Sequence, residues 1–128
     1  MTALFILYVR NQDNSTRFYS SVLDRQPTLH VPGMTEFTLN DGCKLGLMPS
    51  DGIKRLLPEM PDPTGADGVP RSEVYLTVSD AAAFHRRALA AGATELSDLS
   101  PRSWGDTVAY SLDPDGHVLA FAQSVSST

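Results

Sequence analysis

Two stretches of the chain follow one plan, and that internal duplication constrains the fold more than any single residue. LFILYVRNQDNSTRFYSSVL followed by MTEFTLNDGCKLGLM runs from Leu4 to Met48, and EVYLTVSDAAAFHRRALAAGA followed by WGDTVAYSLDPDGHVLAFAQ runs from Glu73 to Gln123. Each reads as a strand, a helix and then a hairpin. Val9 and Val78 lie 69 positions apart, Leu23 and Leu89 lie 66 apart, and Gly42 and Gly116 lie 74 apart, so the drift falls in loops. A repeated unit of this size stacks on its copy to complete a core that neither half closes alone, and a binding site is expected where the halves meet.

The local signals support the repeat. Residues 4–9 form a short apolar run, Asn11 is placed to cap a helix over residues 12–23, and Phe18, Tyr19, Val22 and Leu23 recur at helical spacing. In the second half Val74 to Val78 is the strand, Ser79 or Asp80 the cap, and Phe84, Ala88 and Leu89 the apolar helix face. Gly92 suits the left-handed position past the helix end. The hairpin turns are Asn40-Asp41-Gly42 and Asp113-Pro114-Asp115-Gly116, each with Gly where a positive φ is needed. Ser50 to Leu57 suggests a short helix, and the Pro/Gly-rich residues 58–70 read as a surface linker. The expected organisation is one domain over residues 1–128: a first module at about 1–50, a linker at about 51–71 and a second module at about 72–124.

At 128 residues the chain suits a single domain that buries roughly two-thirds of its unfolded surface. Ten basic against 15 acidic residues give a net charge of −5, which offers no footprint for nucleic acid or an anionic membrane. The single cysteine, Cys43, excludes an internal disulfide and reads as a small packed residue. No apolar run approaches about 18 residues and no leader pattern opens the sequence, so a cytoplasmic protein is expected.

The arrangement resembles the vicinal oxygen chelate superfamily, which includes glyoxalase I, extradiol dioxygenases, fosfomycin-resistance transferases and bleomycin-resistance binding proteins. The resemblance runs from LFILYVRNQDNSTRFYSSVL through WGDTVAYSLDPDGHVLAFA, and its most specific element is the DPDGH turn between two strands. It implies an α+β fold of two βαβββ modules, whose mixed sheets curl into a cup with helices on the outer face, in a homodimer. Enzymatic members hold a divalent metal with four side chains, one from each of four strands. The matching positions here are Leu4, Gly46, Glu73 and Ala120. Three of the four carry no donor atom, and a divalent cation needs several oxygen or nitrogen donors to replace its water. The three histidines, His30, His85 and His117, do not converge on Glu73, so neither a metal nor another cofactor is expected. No nucleophile stands beside a base, no phosphate-binding glycine loop is present, and no catalytic residue is assigned.

Alternation along strands then gives the expected lining of the cup. Leu4 brings Ile6, Gly46 brings Met48, Glu73 brings Tyr75, and Ala120 brings Ala122. Glu36 and Thr38 are expected on the face of Gly46, with small residues at 46 and 120 leaving open space. A four-residue DPDG loop places Ala109 across from Ala120 and Ser111 across from Val118, which turns Tyr110 towards the helices, and the parity of Glu36 and Thr38 does the same for Phe37. In bleomycin-resistance proteins a Trp-Gly at the place of Trp104-Gly105 lines the drug groove, so Trp104 is the expected stacking residue. Arg102 is expected at the groove rim or paired with Glu73, for which Arg71 is the other candidate, and His30 and Met34 lie on a segment that lines the groove in drug-binding relatives. The expected partner is a small molecule, a planar aromatic or peptide antibiotic held without a metal. The alternative is a lyase, isomerase or dioxygenase-like enzyme with a displaced or absent metal, in which Glu73 acts as base from an apolar pocket.

Overall fold

A computed structural model describes residues 1–66 and 68–124. The chain divides into two compact units, Met1–Asp67 and Gly68–Thr128. The first contains β1 (Ala3–Val9), α1 (Gln12–Leu23), β2 (Leu29–Val31), β3 (Met34–Asn40), β4 (Cys43–Pro49), α2 (Ser50–Leu56) and a single 3-10 turn, Pro63–Ala66. The second contains β5 (Glu73–Thr77), α3 (Ala81–Ala90), β6 (Thr94–Pro101), β7 (Asp106–Leu112) and β8 (Val118–Ser124). The sheets run β1-β4-β3-β2 and β5-β8-β7-β6, and in each the first pair is parallel and the others antiparallel. Each unit is therefore a βαβββ module with a mixed four-stranded sheet, the expected α+β class. None of the described helices is long and apolar enough to cross a membrane.

Local chemistry sets the boundaries. Asn11 is extended and its side-chain oxygen accepts from the amide of Asn14 at 3.0 Å, so it takes up one of the donors that the first turn of α1 leaves unpaired. Asp80 does the same for α3 through Ala83 N at 3.1 Å. Gly42, at φ 80°, turns the chain between β3 and β4 in a region that strains a side chain.

One face of each sheet is covered by its own helix. In the first unit Phe18, Tyr19, Val22 and Leu23 are buried, as are Leu7, Val9, Phe37, Leu45 and Leu47 of the sheet. Burying such a side chain contributes about 1.5–3 kcal/mol. Phe37 is on this helix side, as expected, because it pairs with Leu45 while Glu36 pairs with Gly46. In the second unit Phe84 of α3 meets Phe121 of β8 at 5.6 Å between ring centroids.

The parity expected for β7 is corrected by the register. Tyr110, not Ala109, lies opposite Ala120, while Ala109 pairs with Phe121 and Ser111 with Leu119. Ala109 and Ser111 are thus on the helix side, and Val108 and Tyr110 are on the other face. The reason is the turn: Leu112 pairs with Val118, so the loop is the five residues from Asp113 to His117 instead of four, closed by Asp113 N donating to His117 O at 2.8 Å. One extra loop residue exchanges the faces of a whole strand.

Candidate functional site

The face of the second sheet turned away from α3 carries a cluster of polar and aromatic groups on an apolar floor. Glu73, Tyr75 and Thr77 of β5 lie opposite Val118, Ala120 and Ala122 of β8, which in turn oppose Leu112, Tyr110 and Val108 of β7. Val108, Ala120 and Ala122 are fully buried and Tyr110 packs against them. Ala120 therefore opens no space, contrary to expectation, because Tyr110 stands on this side of the sheet.

Trp104 enters from the turn between β6 and β7. Arg102 N donates to Asp106 O at 2.8 Å and Gly105 N to Arg102 O at 3.2 Å. Gly105 has φ 100°, which reverses the chain just after the tryptophan. The indole Nε1–H donates to the Tyr75 hydroxyl at 2.9 Å, and that hydroxyl donates to Asp106 Oδ2 at 2.5 Å. The phenol thus uses its one proton and accepts one, and a three-residue chain fixes the indole although Trp104 remains 58% exposed.

The Asp106 carboxylate, by accepting the phenol proton, holds Tyr75 above its ordinary titration range, and the opposing pull of the Trp104 N–H is smaller. A raised phenol value means that the contribution of this bond to stability is complete below the ordinary tyrosine value of about 10 and is lost as pH rises through the higher folded-state value. Ultraviolet difference titration against Tyr75→Phe is expected to show Tyr75 ionising above about 10, and Asp106→Asn to move it down. A Tyr75 that ionises at or below the ordinary value would remove the Asp106 bond from this account.

The other anticipated residues of the second unit lie in different surroundings. Glu73 is exposed at the head of an edge strand and has no side-chain ion pair or hydrogen bond among the described residues. Arg71 donates to Asp115 O at 2.6 Å and lies 3.4 Å from His117 Nε2, which directs it to the β7–β8 turn. Arg102 borders the face: its guanidinium lies 5.0 Å from the Tyr110 ring centre and donates to Ser97 Oγ at 2.7 Å and Val108 O at 2.8 Å. Asp106 is the residue that the sequence reading missed. It shares the parity of Val108 and Tyr110, so the error that misplaced Ala109 and Ser111 also hid it.

In the first unit Leu4, Ile6, Met48, Thr38, Glu36 and Gly46 share one face, as the register of β1, β3 and β4 requires. Glu36 is paired with Lys44 at 3.4 Å. His30 leaves this face, because in β2 it is Leu29 that pairs with Glu36 while His30 pairs with Thr35. Its Nδ1 lies 2.8 Å from Thr35 Oγ1, and its ring borders a groove of about 450 Å³ with Thr16, Arg17 and Gln26.

The sequence profile of the Glyoxalase/Bleomycin resistance protein/Dioxygenase superfamily matches residues 2–121. The chain belongs to this superfamily. It is 29% identical over 123 residues to an uncharacterized protein of Mycobacterium bovis, covering 93% of this chain and 80% of that one. A glyoxalase-related enzyme from Fulvimarina pelagi superposes with a TM-score of 0.80 at 20% identity, over 97% of this chain and 88% of that one. A protein of Agrobacterium tumefaciens solved by solution NMR gives 0.74 at 26% identity, over 98% and 99%.

The metal positions that the superfamily resemblance implies do not fit a cation here. In the first unit Leu4 and Gly46 offer no side-chain donor, and a Cβ on Gly46 would lie 3.1 Å from Leu4 Cδ1, 3.1 Å from Ile6 Cγ1 and 3.4 Å from Met34 Sδ. Hydrocarbon fills the space expected to be open. In the second unit Glu73 supplies one carboxylate, and Ala120 lies buried among Val108, Ala122 and Tyr110. One carboxylate does not replace the several waters that a divalent ion gives up.

Proposed function

We propose that this superfamily member binds a planar aromatic or peptide-like natural product on the face of its second sheet turned away from α3 and releases it unchanged, in the manner of the bleomycin-resistance proteins. The observation that carries the reading is Trp104, a 58% exposed indole held in one orientation by Tyr75 and Asp106. An aromatic plate fixed before the ligand arrives loses little rotamer freedom on binding, and tryptophan is a frequent source of binding energy at such anchors. Glu73, exposed and without a partner among the described residues, favours a ligand that carries an amide donor or a positive charge. The acid–base alternative draws less support, because Glu73 lies exposed on β5 instead of in the apolar pocket that would tune a general base.

Titration with bleomycin, a quinoxaline depsipeptide and a simple planar intercalator tests the proposal. Trp104→Ala is expected to weaken the bound member of the panel about 10- to 30-fold, through loss of stacking and of buried ring area. The ligand should be recovered intact. Unchanged affinity in the variant, chemical conversion of the ligand, or no saturable binding by any of the three would overturn the assignment.

A further inference from the structure

The opposite side of the second sheet carries a set of groups that the proposed binding face does not use. His85 of α3 is 3% exposed, and its Nε2 lies 2.9 Å from Glu95 Oε2 of β6. Asp98 completes the set, with donor atoms of all three residues within 4.8 Å of one another. Residues 95 and 98 of a regular strand would point to opposite faces. Here the register of β6 shifts between Glu95 and Ser97 and again between Ser97 and Ser100, and these irregularities bring the Asp98 carboxylate round to Glu95 and His85.

We propose that His85, Glu95 and Asp98 form a site for a divalent transition-metal cation, distinct from the four strand positions of the superfamily and independent of the ligand reading above. Donors that bind zinc tetrahedrally at about 2.1 Å stand about 3.4 Å apart, a spacing that the three donor atoms, within 4.8 Å of one another, reach by small side-chain rotations once the His85–Glu95 hydrogen bond gives way to the ion. One imidazole with two carboxylates is a nitrogen–oxygen set suited to zinc or manganese, with water completing the shell. Neither carboxylate is neutralised by a lysine or arginine among the described residues, and the chain's net charge of −5 favours a cation. Two buried polar atoms beside the set have no hydrogen-bond partner, His85 Nδ1 and the hydroxyl of Ser111, the residue opposite Glu95. Glu95 is half exposed and gives an ion a way in from solvent.

The test is equilibrium dialysis of the full chain against Zn²⁺ and, separately, Mn²⁺, with bound metal counted by mass spectrometry. Saturation at one equivalent is expected, together with a zinc-dependent change in the ¹⁵N resonance of the His85 ring. Glu95→Gln and Asp98→Asn keep side-chain volume at exposed positions, so they should fold, and each is expected to weaken binding at least about 10-fold. No saturable binding of either ion, equal binding by the variants, or a His85 resonance that does not respond would overturn the site.

Discussion

Asp113→Ala is expected to lower the stability of the fold by about 3–5 kcal/mol. The carboxylate of Asp113 is 4% exposed, and its Oδ1 accepts from the amides of Asp115 and His117, each at 2.9 Å. Hydrogen bonds to a charged acceptor contribute about 1.5–3 kcal/mol each, and removal of the acceptor leaves both amides buried and unpaired. The same turn is joined to the start of β5, because His117 Nδ1 lies 3.0 Å from Ser72 Oγ and Arg71 donates to Asp115 O. The DPDGH segment thus acts as a clamp that fixes β8 against β5 and β7 and so sets Ala120 opposite Tyr75. Urea unfolding followed by circular dichroism should show a midpoint lower by about 2 M, given slopes of about 1–3 kcal/mol/M for small proteins. Asp113→Asn, which keeps one acceptor oxygen, should lose about half as much. A loss below about 1 kcal/mol for the alanine variant would show that the turn closes without its carboxylate.

Phe121→Ala should destabilise by a similar amount, about 3–5 kcal/mol, for a different reason. Phe121 is fully buried on the helix side of β8, between Leu76 and Ala109 in register, with its ring against Phe84 of α3. Arg87 lies 4.2 Å from the other ring's centre, so Phe84 is held and cannot readily swing into the void. The truncation removes the transfer energy of the ring and leaves a cavity that α3 closes only in part. Phe121→Leu should lose markedly less. Since the Trp104 chain lies on the other face, native-state tryptophan emission should be unchanged in Phe121→Ala before unfolding begins. A variant with wild-type stability, or one with altered native emission, would contradict this separation of the two faces.

Elements whose causes are local were legible from residue order alone. The span of α1, its Asn11 cap, the turn at Gly42 and the short helix from Ser50 all depend on neighbours within a few positions, and the structure has them where the sequence places them. Once the superfamily resemblance marks Leu4, Gly46 and Ala120 as metal positions, side-chain identity suffices to show that they offer no oxygen or nitrogen. Which face of β7 bears the site was not. That depended on whether His117 belongs to the loop or to the strand, a choice made by a backbone bond from Asp113 and invisible in the letters DPDGH.

The sequence by itself determined a strand, a helix and a hairpin in each half, because hydrophobic period, caps and turn glycines act over one or two turns of chain; the third strand of each hairpin sheet and the donor-poor metal positions came from the superfamily resemblance. Only the tertiary structure decided that Trp104 is held by Tyr75 and Asp106, residues 29 and 2 positions away in sequence, and that a shifted register in β6 gathers His85, Glu95 and Asp98. Both outcomes follow from strand register, where a single extra residue in a loop or a strand reverses every side chain beyond it, and register is fixed by long-range hydrogen bonding that no local pattern encodes.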